Sequence, residues 1–552
     1  MNKLYFRFVF LCIICSSALL HSQDTKQVII EGADFFDITE KEVPGAIIMT
    51  GNVRILHEGA RITCNKAYRF SKTNFVKAFG NVQIVQGDTL FMNSKYAEYN
   101  GNTKFAYATG DVVMRDPKMT LATDTINFDR NSQQAYYNSK GTITDPENTL
   151  VSQSGRYYIN QKKFQFLTAV TVTNPRQVIK TNHLDYFTNS GHSYVFGPST
   201  ITSTSNVIYT EKGFYDTKKG FGKLLKNSKI TYKDRLIEGD DIFYDQKQDF
   251  AKAINNVKVT DTINNFIIKG HYAEVYRQKD SMFVTKKALA MTVFEKDTVF
   301  FHAKRLLITG KPLNRIIRGF NNARFFKKDM NGKCDSIHSN QKSGLTKMIG
   351  NPVVWNGDKQ MTGDLMHLIP DTELEKIDSL KILNNAFIVS KDTIGEGYNQ
   401  VKGQNLYGKF KDNKLYEADI VKNSEVIFYM RNDKQDLIGI NKSASSSINI
   451  ILDKNTIETM TFFKQVDGIM YPENELPPNA RKLKGFIWRG EERIKSKADI
   501  FPPEELELDK KAIKESKLKS LEPNIPMEAS KETLEYDKPK SVKKGVISKK
   551  KN

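Results

Sequence analysis

The sequence predicts an all-β chain: an elongated, solenoid-like stack of units about 29 residues long, ending in a disordered charged tail. Three observations carry this. First, the chain repeats itself. Gly51-Asn-Val, Gly80-Asn-Val, Gly110-Asp-Val and Gly141-Thr-Ile recur. The aliphatic anchors Val53, Val82, Val112, Ile143, Val172, Ile201, Ile230 and Val257 follow at steps of 29, 30, 31, 29, 29, 29 and 27 residues. A fixed period of this size marks a repeat architecture. Second, apolar residues alternate after each anchor: Val53 with Ile55, Val82 with Ile84, Val112 with Met114, Ile230 with Tyr232, Val257 with Val259 and Val353 with Trp355. A spacing of two puts both on one face of a strand. The residues between, such as Arg54, Gln83, Thr231 and Lys258, are polar and suit water. Third, composition agrees. Hydrophobic residues make up 39% of the 552, aromatics 11%, with 23 Tyr and 34 Phe, so the chain is too aromatic for disorder yet thin in core. A mean hydropathy of −0.49 excludes a polytopic helical membrane protein.

The elements follow in order. Residues 1–22 carry Lys3 and Arg7, an apolar run from Phe8 to Leu20, and a small residue at Ser22. This is the pattern of a cleavable secretory signal. The run is shorter than the ~20 residues a spanning helix needs. Cys15 follows Ile13-Ile14 rather than small residues, which argues against a lipid anchor. From residue 23 to 290 the repeat is regular. Within it an aromatic end, a polar turn and a new strand start recur, as in Phe70 to Phe75, Tyr99 to Phe105, Tyr215 to Phe221 and Tyr244 to Phe250. One unit departs, because Ile143 is followed two positions on by Asp145, which interrupts its inward face. From 291 to 465 the units are longer and less regular. Asn384-Asn-Ala still parallels Asn255-Asn-Val. Residues 466–501 read as a C-terminal cap. Residues 502–552 are rich in Lys, Glu and Pro, the composition of a disordered tail.

One unit cannot bury its inner face alone. Stacked units share backbone ladders about 4.8 Å apart and build one interior. Such a stack ends in unpaired strand edges, which must be covered or must pair with another protein's strand.

A leader followed by β units with a Gly-Asn/Asp-Val start resembles the OstA-like family, the periplasmic lipopolysaccharide-transport proteins that include LptA, LptC and the N-terminal domain of LptD. The similarity is strongest over residues 27–290 and weaker to about 490. It implies a β-jellyroll, or "β-taco", folded over a groove that shields lipid acyl chains. It also implies a periplasmic carrier or bridge, associated with the outer membrane, that contacts lipopolysaccharide or lipid A. Its partners would be other jellyroll proteins, met edge to edge, and an outer-membrane barrel. The residues read as groove-lining are Val53, Ile55, Val82, Ile84, Val112, Met114, Ile230, Tyr232, Val257 and Val259. Periodicity alone admits a second reading, a structural or surface-interaction solenoid whose core is filled and carries no lipid.

Signs of catalysis are missing from the sequence. The eight His are scattered, and no His or Cys pair has zinc-ligand spacing. There is no phosphate loop, dinucleotide fingerprint or nucleophile elbow. Paired carboxylates such as Asp240-Asp241 read as turns. A carbohydrate-active β-helix would stack acidic residues in adjacent units, and none stack here. The expectation is therefore no enzyme, no cofactor and no metal. The formal charge of +20 suits an anionic ligand. An exported chain without a recognition motif is not expected to bind nucleic acid, so Lys and Arg are expected at the rim of the groove. Asp-Thr-aliphatic tripeptides such as Asp392-Thr-Ile resemble an O-glycosylation signal, and turn chemistry explains them equally well.

Overall fold

The computed structural model describes residues 27–507, apart from 39–41, 89, 294–296, 372–375, 393 and 454–455. The leader read in residues 1–22 and the tail beyond 507 lie outside the described residues. The chain divides into two units, Met1–Ile500 and Phe501–Asn552. In the second, residues 503–507 form a short helical stretch.

The first unit is an antiparallel meander. Strand Ile47–His57 pairs with Ala60–Phe70, and the chain continues through Phe75–Gln86, Leu90–Asn100, Phe105–Arg115 and Thr120–Asp129. Thirty-eight strands among the described residues join one sheet. Each 29-residue unit of the regular part is thus one strand out and one strand back.

Each long strand is bent near its middle. Thr50 faces Lys66 and Val53 faces Cys64, so Gly51 and Asn52 stand opposite Asn65 alone. Two residues against one is a β-bulge, which kinks the strand. The same slip falls between Phe79 and Val82, Thr109 and Val112, Leu167 and Val170, Ile254 and Val257, and Leu383 and Ala386. The bulged pairs are left-handed: φ is 69° and 48° at Gly80 and Asn81, 85° and 51° at Gly110 and Asp111, 61° and 51° at Asn384 and Asn385. Gly, Asn and Asp are the residues that tolerate this conformation. The Gly-Asn/Asp-Val signature therefore marks a fold in mid-strand, where the sequence suggests a strand start.

The returning strands carry a matching device. A small polar side chain on the inner face donates to the carbonyl two residues on: Cys64 Sγ to Lys66 (3.2 Å), Ser152 Oγ to Ser154 (3.0 Å), Thr181 Oγ1 to His183 (3.2 Å) and Thr210 Oγ1 to Lys212 (2.8 Å). These bonds supply a partner where the bulge interrupts the ladder.

The line of bulges divides the sheet into two leaves that close over each other. Val76 and Ala78 face inward from one leaf, Val82 and Ile84 from the other. The inward residues merge into one apolar cluster that runs from Val28 to Leu452. Burial of each large side chain contributes roughly 1.5–3 kcal/mol. The turns lie on two margins opposite the fold line. One margin holds residues 57–60, 86–88, 115–120 and 144–149; the other holds 70–75, 100–105, 129–134 and 158–163.

Residues 472–500 form a strap across the outer face of one leaf. Three buried carboxamides hold its backbone. Gln400 donates to the carbonyl of Arg481 (2.8 Å) and accepts from the N–H of Leu483 (2.9 Å). Gln360 does the same with Ile487 (2.8 Å) and Arg489 (2.7 Å), and Asn331 accepts from Ile494 (3.3 Å). Beneath the strap Phe387, Val389, Ile427, Tyr429, Leu476 and Leu483 make a second apolar cluster.

Candidate functional site: an apolar cleft between the leaves

Between residues 57 and 218 the leaves stand apart and enclose a cleft of about 880 Å³. Its walls come from both leaves and include Ile84, Met92, Met114, Ile126, Leu150 and Phe166. Ile84, Leu90, Met119, Phe128 and Ile159 are only half-buried although they line it. Apolar side chains aimed inward yet left uncovered are the surface an apolar ligand would bury. Tyr157 and Tyr186 also line it, and burial pushes each phenol up to about 12, so both stay neutral.

Cross-margin contacts bound the cleft. At the end nearer the N-terminus Lys104 Nζ lies 3.0 Å from the Glu58 carboxylate across the mouth. This bond from Lys104 holds the Glu58 carboxyl below its usual value. Arg130 reaches across to the carbonyls of His57 (3.4 Å) and Glu58 (3.2 Å) and to Tyr99 Oη (3.0 Å). At the other end Asn206 Nδ2 donates to Tyr244 Oη (2.8 Å).

Beyond it the leaves are zipped together. Arg277 stacks over the Tyr232 ring at 3.9 Å and lies 3.8 Å from Asp234. Arg315 and Asp261 form an ion pair, 8% and 3% exposed. Burial alone would raise the Asp261 carboxyl, but Asn264, two backbone N–H groups and Arg315 outweigh it and hold it low. Farther on, Asn356 Nδ2 donates to the carbonyl of Asn413 (2.9 Å). The interior here is filled by residues such as Ile230, Ile237, Ala273 and Val284, each fully buried.

The rim is split by sign. One margin bears Asp116, Asp145 and Glu147 with Lys118; the other bears Arg130, Lys162 and Lys218. Three of these four cations thus occupy one side. The acidic side has a structural cause. Asp116 Oδ1 accepts the N–H groups of Lys118 (2.7 Å) and Met119 (2.9 Å), and Asp145 Oδ1 those of Glu147 (2.8 Å) and Asn148 (2.7 Å). Asp145, which interrupts the inward pattern after Ile143, is the first residue of a rim turn.

The ten residues read as groove-lining separate into groups. Ile84 and Met114 line the cleft. Val53, Ile55, Val82 and Val112 are buried in the same apolar layer but outside the lining. Ile230, Tyr232, Val257 and Val259 lie in the zipped part. Sequence reading missed Met92, Ile126, Leu150 and Phe166. The first three sit on returning strands, which lack the Gly-Asn-Val start. Their signal was the small polar residue that precedes each fold, Thr123, Ser152, Thr181 and Thr210, at steps of 29 residues.

The architecture defines an antiparallel β-jellyroll with an apolar cleft near its N-terminal end. Residues 25–182 match the family of OstA-like proteins. The resemblance read from the repeats therefore holds over the segment that builds most of the cleft. Among sixteen matching chains of solved structures is LptH from Pseudomonas aeruginosa, described as the LptA homologous periplasmic component of the conserved lipopolysaccharide transport device. It is 14% identical, covers 26% of this chain and 99% of its own, with a TM-score of 0.21. No curated protein matches the chain.

Proposed function

We propose that the chain is an exported, periplasmic, non-enzymatic component of lipopolysaccharide transport, and that the cleft between residues 57 and 218 shelters acyl chains. The observation that supports this is the apolar cleft itself, about 880 Å³ between the two leaves of the jellyroll. Its size is that of a site for one ligand, near the top of the roughly 300–1,000 Å³ usual for small-molecule pockets. Each buried CH₂ gains about 0.8 kcal/mol, so a few inserted chains would be held firmly. Lipid enters sideways through the open mouth, because cross-margin contacts close both ends. The filled-core reading suits the rest of the array, where among the described residues ion pairs and packed side chains bring the leaves together. That length acts as a strut. Its terminal strands expose Phe35 and Phe36 at one end and Phe463 and Ile469 at the other. These edges would pair with other jellyroll proteins of the transport machinery or with an outer-membrane barrel partner.

Lipid analysis of the purified mature protein tests this. Co-purified lipopolysaccharide that is lost when Met114 is replaced by Glu, with the β spectrum kept, is the expected result. A folded protein that neither carries nor takes up lipopolysaccharide would refute it.

A further inference from the structure

Arg130 sits where the cleft ends. Its guanidinium is about nine-tenths buried, with a side-chain exposure of 10%. Three bonds from its Nη1 and Nη2 groups go to the carbonyls of His57 and Glu58 and to Tyr99 Oη. Its Nε is buried and finds no partner among the described residues. The nearest carboxylate is Glu58, 3.9 Å away, and Glu58 is already engaged by Lys104 at 3.0 Å. Two cations therefore share one anion. A buried charged donor without a partner is costly, and native structures rarely leave one unexplained. Arg130 also lines the cleft, beside apolar walls that lead away from it.

We propose that Arg130 is the anchor for the anionic headgroup, a phosphate or carboxylate, of an amphiphile whose chain lies in the cleft. This rests on the reading of the cleft as a lipid site. An anion there would accept the Nε–H, complete the counter-charge that Glu58 shares with Lys104 and make a charge-assisted bond, the strong kind. The apolar tail would run from Arg130 along Met114 and Leu150. Tyr99 and the two carbonyls orient the guanidinium by holding its Nη groups. Glu58 keeps Lys104 at the mouth, so Lys104 is a gatepost rather than the anchor.

The test compares three C16 amphiphiles on the purified full chain: hexadecyl phosphate, palmitate and hexadecanol. Wild-type protein should bind one or both anionic probes at least about tenfold more tightly than hexadecanol, the least that one hydrogen bond to a charged group supplies. Preference for the phosphate over palmitate, or the reverse, identifies which headgroup the site takes. Arg130→Gln should bind all three alike, at the hexadecanol level. Lys104→Gln breaks the neighbouring cross-mouth contact, to the Glu58 carboxylate, and should keep the preference, which separates anchoring from loosening of the mouth. If Arg130→Gln does not fold, Arg130→Lys, which lacks the fork, should reduce the preference. Equal binding of all probes by wild type overturns the anchor while leaving the lipid cleft standing, as does a preference undiminished in Arg130→Gln or Arg130→Lys. A preference lost in Lys104→Gln would assign the effect to the closed mouth and overturn the anchor. Failure of every probe to bind overturns the cleft reading and the anchor together.

Discussion

Enlarging an alanine distinguishes an open interior from a filled one. Ala106 lines the cleft. Ala273 lies in the zipped part, fully buried, between Ala253 and Val284 on the neighbouring strands. Phe at 273 has nowhere to go and should cost about 1–3 kcal/mol through forced side-chain and backbone shifts. Phe at 106 enters a space of about 880 Å³. It meets little overpacking and gains part of the roughly 1.5–3 kcal/mol that burial of a large apolar side chain contributes. The expected outcome is a denaturation midpoint for Ala106→Phe equal to or above wild type, and a lowered one for Ala273→Phe. The β signal of each variant, followed in urea, reads this out. Ala106→Phe should also reduce lipid uptake, because the ring takes up ligand space. Equal destabilisation at the two sites would show that the cleft is not space available to a side chain, and the reasoning would fail.

Other consequences follow from the fold. Thr210→Val removes the bond to the Lys212 carbonyl (2.8 Å) at a fully buried position; it should cost about 1–3 kcal/mol in urea denaturation, and Thr210→Ser far less. Gln400→Leu leaves the Arg481 carbonyl and the Leu483 N–H unpaired; hydrogen exchange should quicken across residues 481–489 while the cleft strands keep their protection. Glu492 is held down to about 2 by Arg489, with Lys333 helping. A depressed carboxyl contributes stability that is present above its ordinary value near 4.5 and lost as pH falls through the folded value. Strap protection should therefore weaken between about pH 4.5 and 2, and Glu492→Gln should lose that dependence. Burial pushes the thiols of Cys64 and Cys334 up to about 11 and 12; both should resist alkylation at pH 8 until the chain is unfolded.

The class of fold was legible because every level of the sequence repeats it. The 29-residue step, the alternation after each anchor and the aromatic-flanked turns at 70–75 and 99–105 all reappear as hairpins. What the Gly-Asn-Val signature does was less legible. A left-handed pair followed by a valine looks the same whether it starts a strand or folds one. Only the register, with Gly51 and Asn52 opposite Asn65, tells them apart. Alternation also misleads where both faces are covered. Val354, between Val353 and Trp355, joins the interior cluster. Successive strand side chains point to opposite faces, so Val353 and Trp355 face the side where the strap crosses. The extent of the cleft was hidden for a different reason. Ile84 and Tyr232 sit at matching places in their units, yet only Ile84 lines the cleft. The difference lies in contacts between distant turns, such as Arg277 with Asp234 and Arg315 with Asp261. A periodic pattern read along the chain carries no trace of them.

A photo-crosslinking residue placed singly at Met114, Leu150, Tyr232 and Val257 tests most directly whether this jellyroll holds lipid, and where. Each variant is exposed to lipopolysaccharide after its β spectrum and melting temperature are matched to wild type. Capture at Met114 and Leu150, with none at Tyr232 or Val257, is the predicted result. No capture at Met114 or Leu150, or equal capture at all four positions, would contradict a cleft confined to residues 57–218.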